Sequence, residues 1–203
     1  GSFGDLSIFS FYPNKHVTSG EGGMLVMDDS SLAEKSRELR NLCFKPSRRF
    51  VHEDLGWNYR MTNMQAALGL AQVEQLDKTV KRKREIGNLY TKLLSDIPGI
   101  QLPMNKTEYA DNIYWVFGMV LDDSIKMKSE DVLGKLAEKK IGTRPFFWPM
   151  HQQPVFNKRG LFLSESYPVA ERLAVRGFYL PSGVGTSDDQ IEEACAVVKK
   201  VLK

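Results

Sequence analysis

The sequence predicts an α/β protein, and three observations carry that prediction. Two short apolar runs bracket a glycine-rich turn near the N-terminus, as paired strands do. From Thr62 apolar residues recur at helical spacing over about 33 positions. After Pro98 the texture changes again, to strand and helix in alternation.

The elements follow in order. Leu6, Ile8, Phe9 and Phe11 make a first strand, and Met24 to Met27 a second ending at Asp28-Asp29. Between them runs Pro13-Asn14-Lys15-His16-Val17-Thr18-Ser19-Gly20-Glu21-Gly22-Gly23, whose glycines suit a sharply bent backbone. Ser30 or Ser31 is placed to cap a helix through Leu32, Leu39 and Leu42. Residues 45–59, with Pro46 and Gly56, read as irregular. Thr62 is placed as the N-cap of one continuous helix through Met64, Leu68, Leu76, Val80, Ile86, Tyr90 and Leu94, stopped by Pro98-Gly99. At 1.5 Å per residue it would reach about 50 Å, the length of a bridge between two domains. Beyond it come a strand over 113–121, a helix over 129–140 capped by Ser129, a short strand over 142–147 and a helix from Pro168 to Arg176. An extended Phe178-Tyr179-Leu180-Pro181 and a last helix capped by Ser187 complete a small domain with helices on one face of a sheet.

Composition narrows the class. Of 203 residues 42% are hydrophobic and 26% charged, an ordinary globular balance. No apolar run approaches the roughly 20 residues of a membrane span, and the start lacks the pattern of a secretion signal. A net charge of +3 is too mild to imply a nucleic-acid partner. The basic run Lys81-Arg82-Lys83-Arg84 is expected on a solvated helix face. Cys43 and Cys195 are far apart and the three histidines scattered, so no metal spacing is present. Two cysteines in this length suit free thiols in a reducing, cytoplasmic setting. The first residue is Gly rather than Met, and the expectation is a piece of a longer chain.

One residue stands out chemically. Lys15 lies in a tight turn between two apolar strands, with Ser10 five positions before it. A partly desolvated lysine forms Schiff bases and a strand-end hydroxyl binds phosphate; a solvated turn lysine fits the same residues.

Four ordered motifs extend this. Gly4 to Gly23, read as Gly4-Asp5-Leu6-Ser7-Ile8-Phe9-Ser10-Phe11-Tyr12-Pro13-Asn14-Lys15 and on through the glycines, resembles the lysine segment of the DegT/StrS family of sugar aminotransferases. Asn58-Tyr59-Arg60-Met61-Thr62 with Gln65-Ala66-Ala67 resembles the segment that opens the family's long helix. Arg144-Pro145-Phe146-Phe147-Trp148-Pro149-Met150-His151 resembles its late active-site loop, and Pro168-Val169-Ala170-Glu171 with Leu180-Pro181-Ser182-Gly183 its C-terminal signature.

The resemblance covers essentially the whole chain and implies the C-terminal part of the type I fold of PLP-dependent transferases. Residues 1–77 would be the tail of the large cofactor-binding domain with the start of the long helix, and 78–203 the small domain. It implies that Lys15 carries pyridoxal 5′-phosphate as a Schiff base and moves the substrate proton. Ser10 would bind the cofactor phosphate, and Asn58 would reach the partner subunit's phosphate across a homodimer. Asn58 also reads as a polar residue before a helix. Arg60 would bind the carboxylate of the amino donor, glutamate, or brace its own loop. Trp148 and His151 would touch the nucleotide-linked keto sugar, or form a packed aromatic loop. Glu21 is expected to brace the glycine-rich turn.

The stretch from Phe146 to Phe156 is most similar to the perosamine-forming members, which aminate C4 of GDP-4-keto-6-deoxymannose for lipopolysaccharide O-antigen. The family's chains run to about twice this length, so the half containing the ring-nitrogen carboxylate is not in this sequence and the chain alone is expected to be inactive. Other readings of the same residues are an aminotransferase of different sugar specificity, a non-catalytic sensor of the same fold, and a lysine-based enzyme without PLP.

Overall fold

Residues 1–45 and 47–202 are described by the computed structural model, with Pro46 and Lys203 outside them. The chain divides into two units, Gly1–Lys78 and Thr79 onward.

In the N-terminal unit, β1 (Ser7–Ser10) and β2 (Gly23–Val26) pair antiparallel, with Ser10 opposite Gly23. Helix α1 (Ser30–Leu39) follows, and its cap is Asp29 rather than a serine. The Asp29 carboxylate accepts from the Ser31 and Leu32 N–H groups at 2.7 and 3.0 Å, binding the open end of the helix with full charge. The helix stops before Leu42, because Leu42 and Cys43 turn to φ 60° and 50°. The stretch expected to be irregular contains a bulged hairpin, β3 (Phe44–Lys45) with β4 (Arg48–His52). Helix α2 (Asn63–Val73) opens on Thr62, whose hydroxyl accepts from the Gln65 N–H while Gln65 Oε1 accepts from the Thr62 N–H. The expected single long helix is two. After Val73 the Gln75 N–H bonds to Gln72, three residues back, and α3 (Leu76–Leu94) starts anew.

The C-terminal unit holds the core. Strands β5 (Ile100–Gln101), β6 (Phe117–Leu121), β7 (Arg144–Pro145) and β8 (Gly177–Leu180) form one sheet in the order β5-β6-β8-β7, every neighbouring pair antiparallel. The 113–121 strand is shorter than expected because Tyr114 sits at φ 49° and breaks the extended run. One sheet face carries Phe117, Met119, Leu121, Phe178 and Leu180, all buried. Against it pack Ile86, Tyr90 and Leu94 of α3, Val132 and Leu136 of α4 (Ser129–Glu138), and Ile191, Ala194, Cys195 and Val198 of α7 (Asp188–Leu202). Each large side chain so buried contributes about 1.5–3 kcal/mol. On the other face Phe146 lies where Cβ atoms at Gly118 and Gly177 would sit.

Ser129 is the first residue of α4, not its cap. Its hydroxyl donates to the Val175 carbonyl, and Asp131 accepts from the Lys128 N–H instead. The short helix α5 (Pro154–Asn157) precedes α6, which runs Pro168–Arg176 as read from its proline start. Ser187 and Gln190 close a reciprocal cap on α7.

The basic run is a solvated face only in part: Lys81 and Arg84 are exposed, while the residues between them turn inward. Arg82 pairs with Asp188 at 2.8 Å and donates to the Thr186 carbonyl, Arg84 donates to Asn112, and Lys83 is buried. Among the described residues no helix is long and apolar enough to cross a membrane.

Candidate cofactor and substrate site

Two backbone steps build the lysine turn. Ser10 Oγ accepts from the Tyr12 N–H at 3.3 Å, and the Tyr12 carbonyl accepts from the Lys15 N–H at 3.0 Å. Ser10 Oγ is the acceptor in that contact, which does not use its own O–H as donor. The loop then folds back: Phe11 exchanges bonds with Gly22 and Ser19, and the Thr18 hydroxyl donates to the Phe11 carbonyl at 3.0 Å. Glu21 braces the turn through its main chain, its carbonyl taking Ser19 Oγ at 2.8 Å and Gln65 Nε2 at 3.2 Å. Gly22 sits at φ 148°, a backbone that other residues rarely adopt, and a Cβ there would also crowd Met61 Cε and Ser19 Oγ at 2.7 Å. The lysine turn is therefore fastened to the residues that open α2. Sequence reading missed Gln65 as a clamp, although its place three residues after Thr62 marks it as the second half of a capping box.

Asn58 and Arg60 lie on the segment before α2. Trp57 and Tyr59 donate to the carbonyls of Leu39 and Arg40, laying residues 57–60 along the end of α1, and Asn58 bridges to Asn41. The Asn58 side chain lies on the surface. Arg60 donates to Asn41 Oδ1 at 3.3 Å, and among the described residues no carboxylate pairs with it. A neutral amide orients the guanidinium without cancelling its charge, which leaves it competent for an anion.

Trp148 and His151 belong to the C-terminal unit. Trp148 is half exposed, its indole N–H on the Gln152 carbonyl at 3.1 Å. His151 is 8% exposed and its Nε2 meets Glu171 Oε1 at 2.9 Å, with the ring edge-on to Tyr167. The same carboxylate accepts from the Tyr167 N–H at 2.8 Å and the Ser166 hydroxyl at 3.2 Å. The Tyr167 bond, then His151, holds Glu171 below the usual carboxylate range. His151 thus ties its loop to the start of α6, while Trp148 and Phe147 face outward.

A primary amine, a hydroxyl, an exposed carboxamide and an unneutralised guanidinium are a donor set that fits an aldehyde, a phosphate and a carboxylate. By fold and lysine segment this is a PLP-dependent aminotransferase architecture. The chain belongs to the DegT/DnrJ/EryC1/StrS aminotransferase family, which it matches over residues 1–199. It is 36% identical over 200 residues to the GDP-perosamine synthase of Vibrio cholerae, covering 98% of this chain and 53% of that one. The aminotransferase TlmJ from Streptoalloteichus hindustanus shares the fold at a TM-score of 0.88 and 27% identity, over 100% of this chain and 53% of that one. DesI, solved in the presence of its TDP-sugar product, superposes at 0.85 with 27% identity over 98% and 50% of the two chains. The chain spans about half the length of the relatives it matches, and corresponds to their C-terminal half.

Proposed function

We propose that the full-length protein is a cytoplasmic, PLP-dependent aminotransferase that moves an amino group from glutamate to C4 of GDP-4-keto-6-deoxymannose. The observation that carries this is the hydrogen-bonded turn from Ser10 through Tyr12 to Lys15, clamped by Gln65. Similarity to GDP-perosamine synthase supports the sugar. Lys15 Nζ would hold the cofactor, and its amine would move a proton at the substrate carbon. Ser10 would donate a hydrogen bond to the cofactor phosphate, and Asn58 would serve the phosphate of the partner subunit in a homodimer. Arg60 holds the glutamate carboxylate. Trp148 and His151 would touch the sugar nucleotide, with the His151 loop held in place through Glu171. When bound, PLP supplies the electron sink for charge developing at the substrate carbon. In this reading residues 1–77 belong to the large domain and 78–203 form the small one, and the 203-residue chain alone does not turn over.

The test is made in the full-length enzyme. Wild type shows a visible absorbance band that borohydride removes, and Lys15→Ala loses both band and transamination. Activity within tenfold of wild type in that variant sinks the reading. Asn58→Ala weakens cofactor retention by about 1.5–3 kcal/mol, the scale of a bond to a charged group. Mixing the two variants restores some sites if Asn58 acts across subunits, and restores none if it acts within one chain.

A further inference from the structure

Helix α3 buries a lysine that the proposed chemistry does not use. Lys83 is 6% exposed, and its Nζ donates to the Trp115 carbonyl at 3.0 Å and to the Ser182 carbonyl. Phe117 and Leu180 are the last cross-strand partners at that end of β6 and β8. Trp115 and Ser182, two residues further on each strand, have left the ladder, and Lys83 supplies a donor to both carbonyls. A methionine or leucine would suit the stripe formed by Ile86 and Tyr90, but would leave both oxygens without that donor.

A second observation bears on what the lysine holds. Tyr114, next to Trp115, is at φ 49°, a conformation that costs a tyrosine about 1–3 kcal/mol. Its ring lies where a Cβ on Gly87 would be 2.5 Å away. The backbone at Trp115 is thus fixed from both sides by α3. The Trp115 ring in turn stacks on Phe147, with centroids 6.3 Å apart and planes 13° apart. Phe147 precedes Trp148 and is 73% exposed, and its ring contact is this stack on Trp115.

We propose that Lys83 is a positioning residue for the Trp148 loop: it fixes Trp115, Trp115 supports Phe147, and Phe147 sets the loop that takes the nucleotide-linked sugar. The last link rests on the function proposed above; the relay to Trp148 does not.

The relay is read from the indole N–H resonances of Trp57, Trp115 and Trp148 in the 203-residue chain. Lys83→Met is expected to move Trp115 and Trp148 together and leave Trp57 in place. Lys83→Arg, which keeps donors but changes their reach, is the gentler variant should Met prevent folding, and should move the same pair by less. In a Phe147→Ala background either change should move Trp115 alone. Movement of Trp115 without Trp148 in the Lys83→Arg chain overturns the proposal, as does coupling that survives Phe147→Ala. In the full-length enzyme Lys83→Arg should raise KM for the sugar nucleotide about tenfold, with kcat and the KM for glutamate within about twofold, the mark of lost uniform binding of one substrate. Equal changes for both substrates overturn the role toward the sugar. A wild-type enzyme that aminates no sugar nucleotide defeats the proposed function instead, while the resonances still decide the relay.

Discussion

The two units have comparable apolar content and opposite fates for it. The C-terminal unit buries Tyr90, Phe117, Met119, Leu136, Phe178 and Ile191 completely in one cluster. Among the described residues of the N-terminal unit the one apolar side chain buried outright is Cys43, while Ile8 is 80% and Met64 83% exposed and Phe9, Met24, Leu25 and Leu70 are also open. Two pairs of short strands and two helices do not enclose a core. The relatives are about twice as long, and the lysine segment lies within the open unit. The difference is that one unit closes a core from its own residues, while the other leaves most of its apolar side chains open.

Separating the units should produce the largest effect. Residues 79–203 expressed alone should melt in one cooperative transition, whereas residues 1–78 alone should show none, by calorimetry and near-ultraviolet circular dichroism. A cooperative transition in 1–78 would break the comparison. Within the intact chain, Leu136→Ala should cost about 2–5 kcal/mol in the C-terminal transition, the range for a buried leucine. Met64→Ala, on the open face of α2, should stay within about 0.5 kcal/mol, as surface changes do.

The sequence made some of this legible, and for identifiable reasons. Pro168 at a first helical position, Thr62 with Gln65 and Ser187 with Gln190 are local signals, and the helices start where those signals stand. The break after Val73 has no glycine or proline to announce it. Its trace is a change of pattern, from Met64, Leu68, Leu70 and Val73 spread around α2 to the single buried stripe of α3. That stripe held a further signal. Lys83, Ile86, Tyr90 and Leu94 are spaced three, four and four residues apart, so position 83 falls on the buried side whatever its charge. Periodicity and composition left Lys15 open between a solvated turn and a reactive amine. The order of the motifs pointed to the family, and the match over residues 1–199 bears the family out.

Surface lysines of the N-terminal unit and the buried Lys83 of the C-terminal one give pH dependences of opposite sign. In the N-terminal unit Lys35 is raised above its ordinary value by its hydrogen bond to Asp54, and Lys45 by its bond to Glu38. Their contribution is present below the ordinary lysine pKa and is lost as pH rises through the raised one; being surface pairs, they add little. Lys83 is pushed down by burial from 10.5 to about 8. Between those values the unfolded chain binds more protons than the folded one, so stability of the C-terminal unit should rise with pH. Urea titrations should show an increase on the order of 1–3 kcal/mol from pH 8 to 10.5. Lys83→Met should remove it, and a flat profile in the wild-type chain would show that the carbonyls of Trp115 and Ser182 hold the amine charged.

The smallest effect isolates context from chemistry, because each unit contains one capping box of the same kind. Thr62 with Gln65 opens α2, and Ser187 with Gln190 opens α7, with backbone-to-side-chain distances of 3.0 and 3.2 Å in both. Removing such a cap typically costs about 1 kcal/mol of helix stability. Helix α7 is docked on the core through Ile191, Ala194 and Val198, so its fraying is coupled to the cooperative transition. Ser187→Ala should therefore lower the C-terminal midpoint by an amount worth about 1 kcal/mol. Helix α2 buries only Gly69, so Thr62→Ala should fray α2 locally and raise amide exchange at Asn63 to Gln65 while that midpoint stays put. If Thr62→Ala lowered the midpoint as much as Ser187→Ala does, α2 would be part of the same cooperative unit, and the contrast between a closed and an open unit would fail.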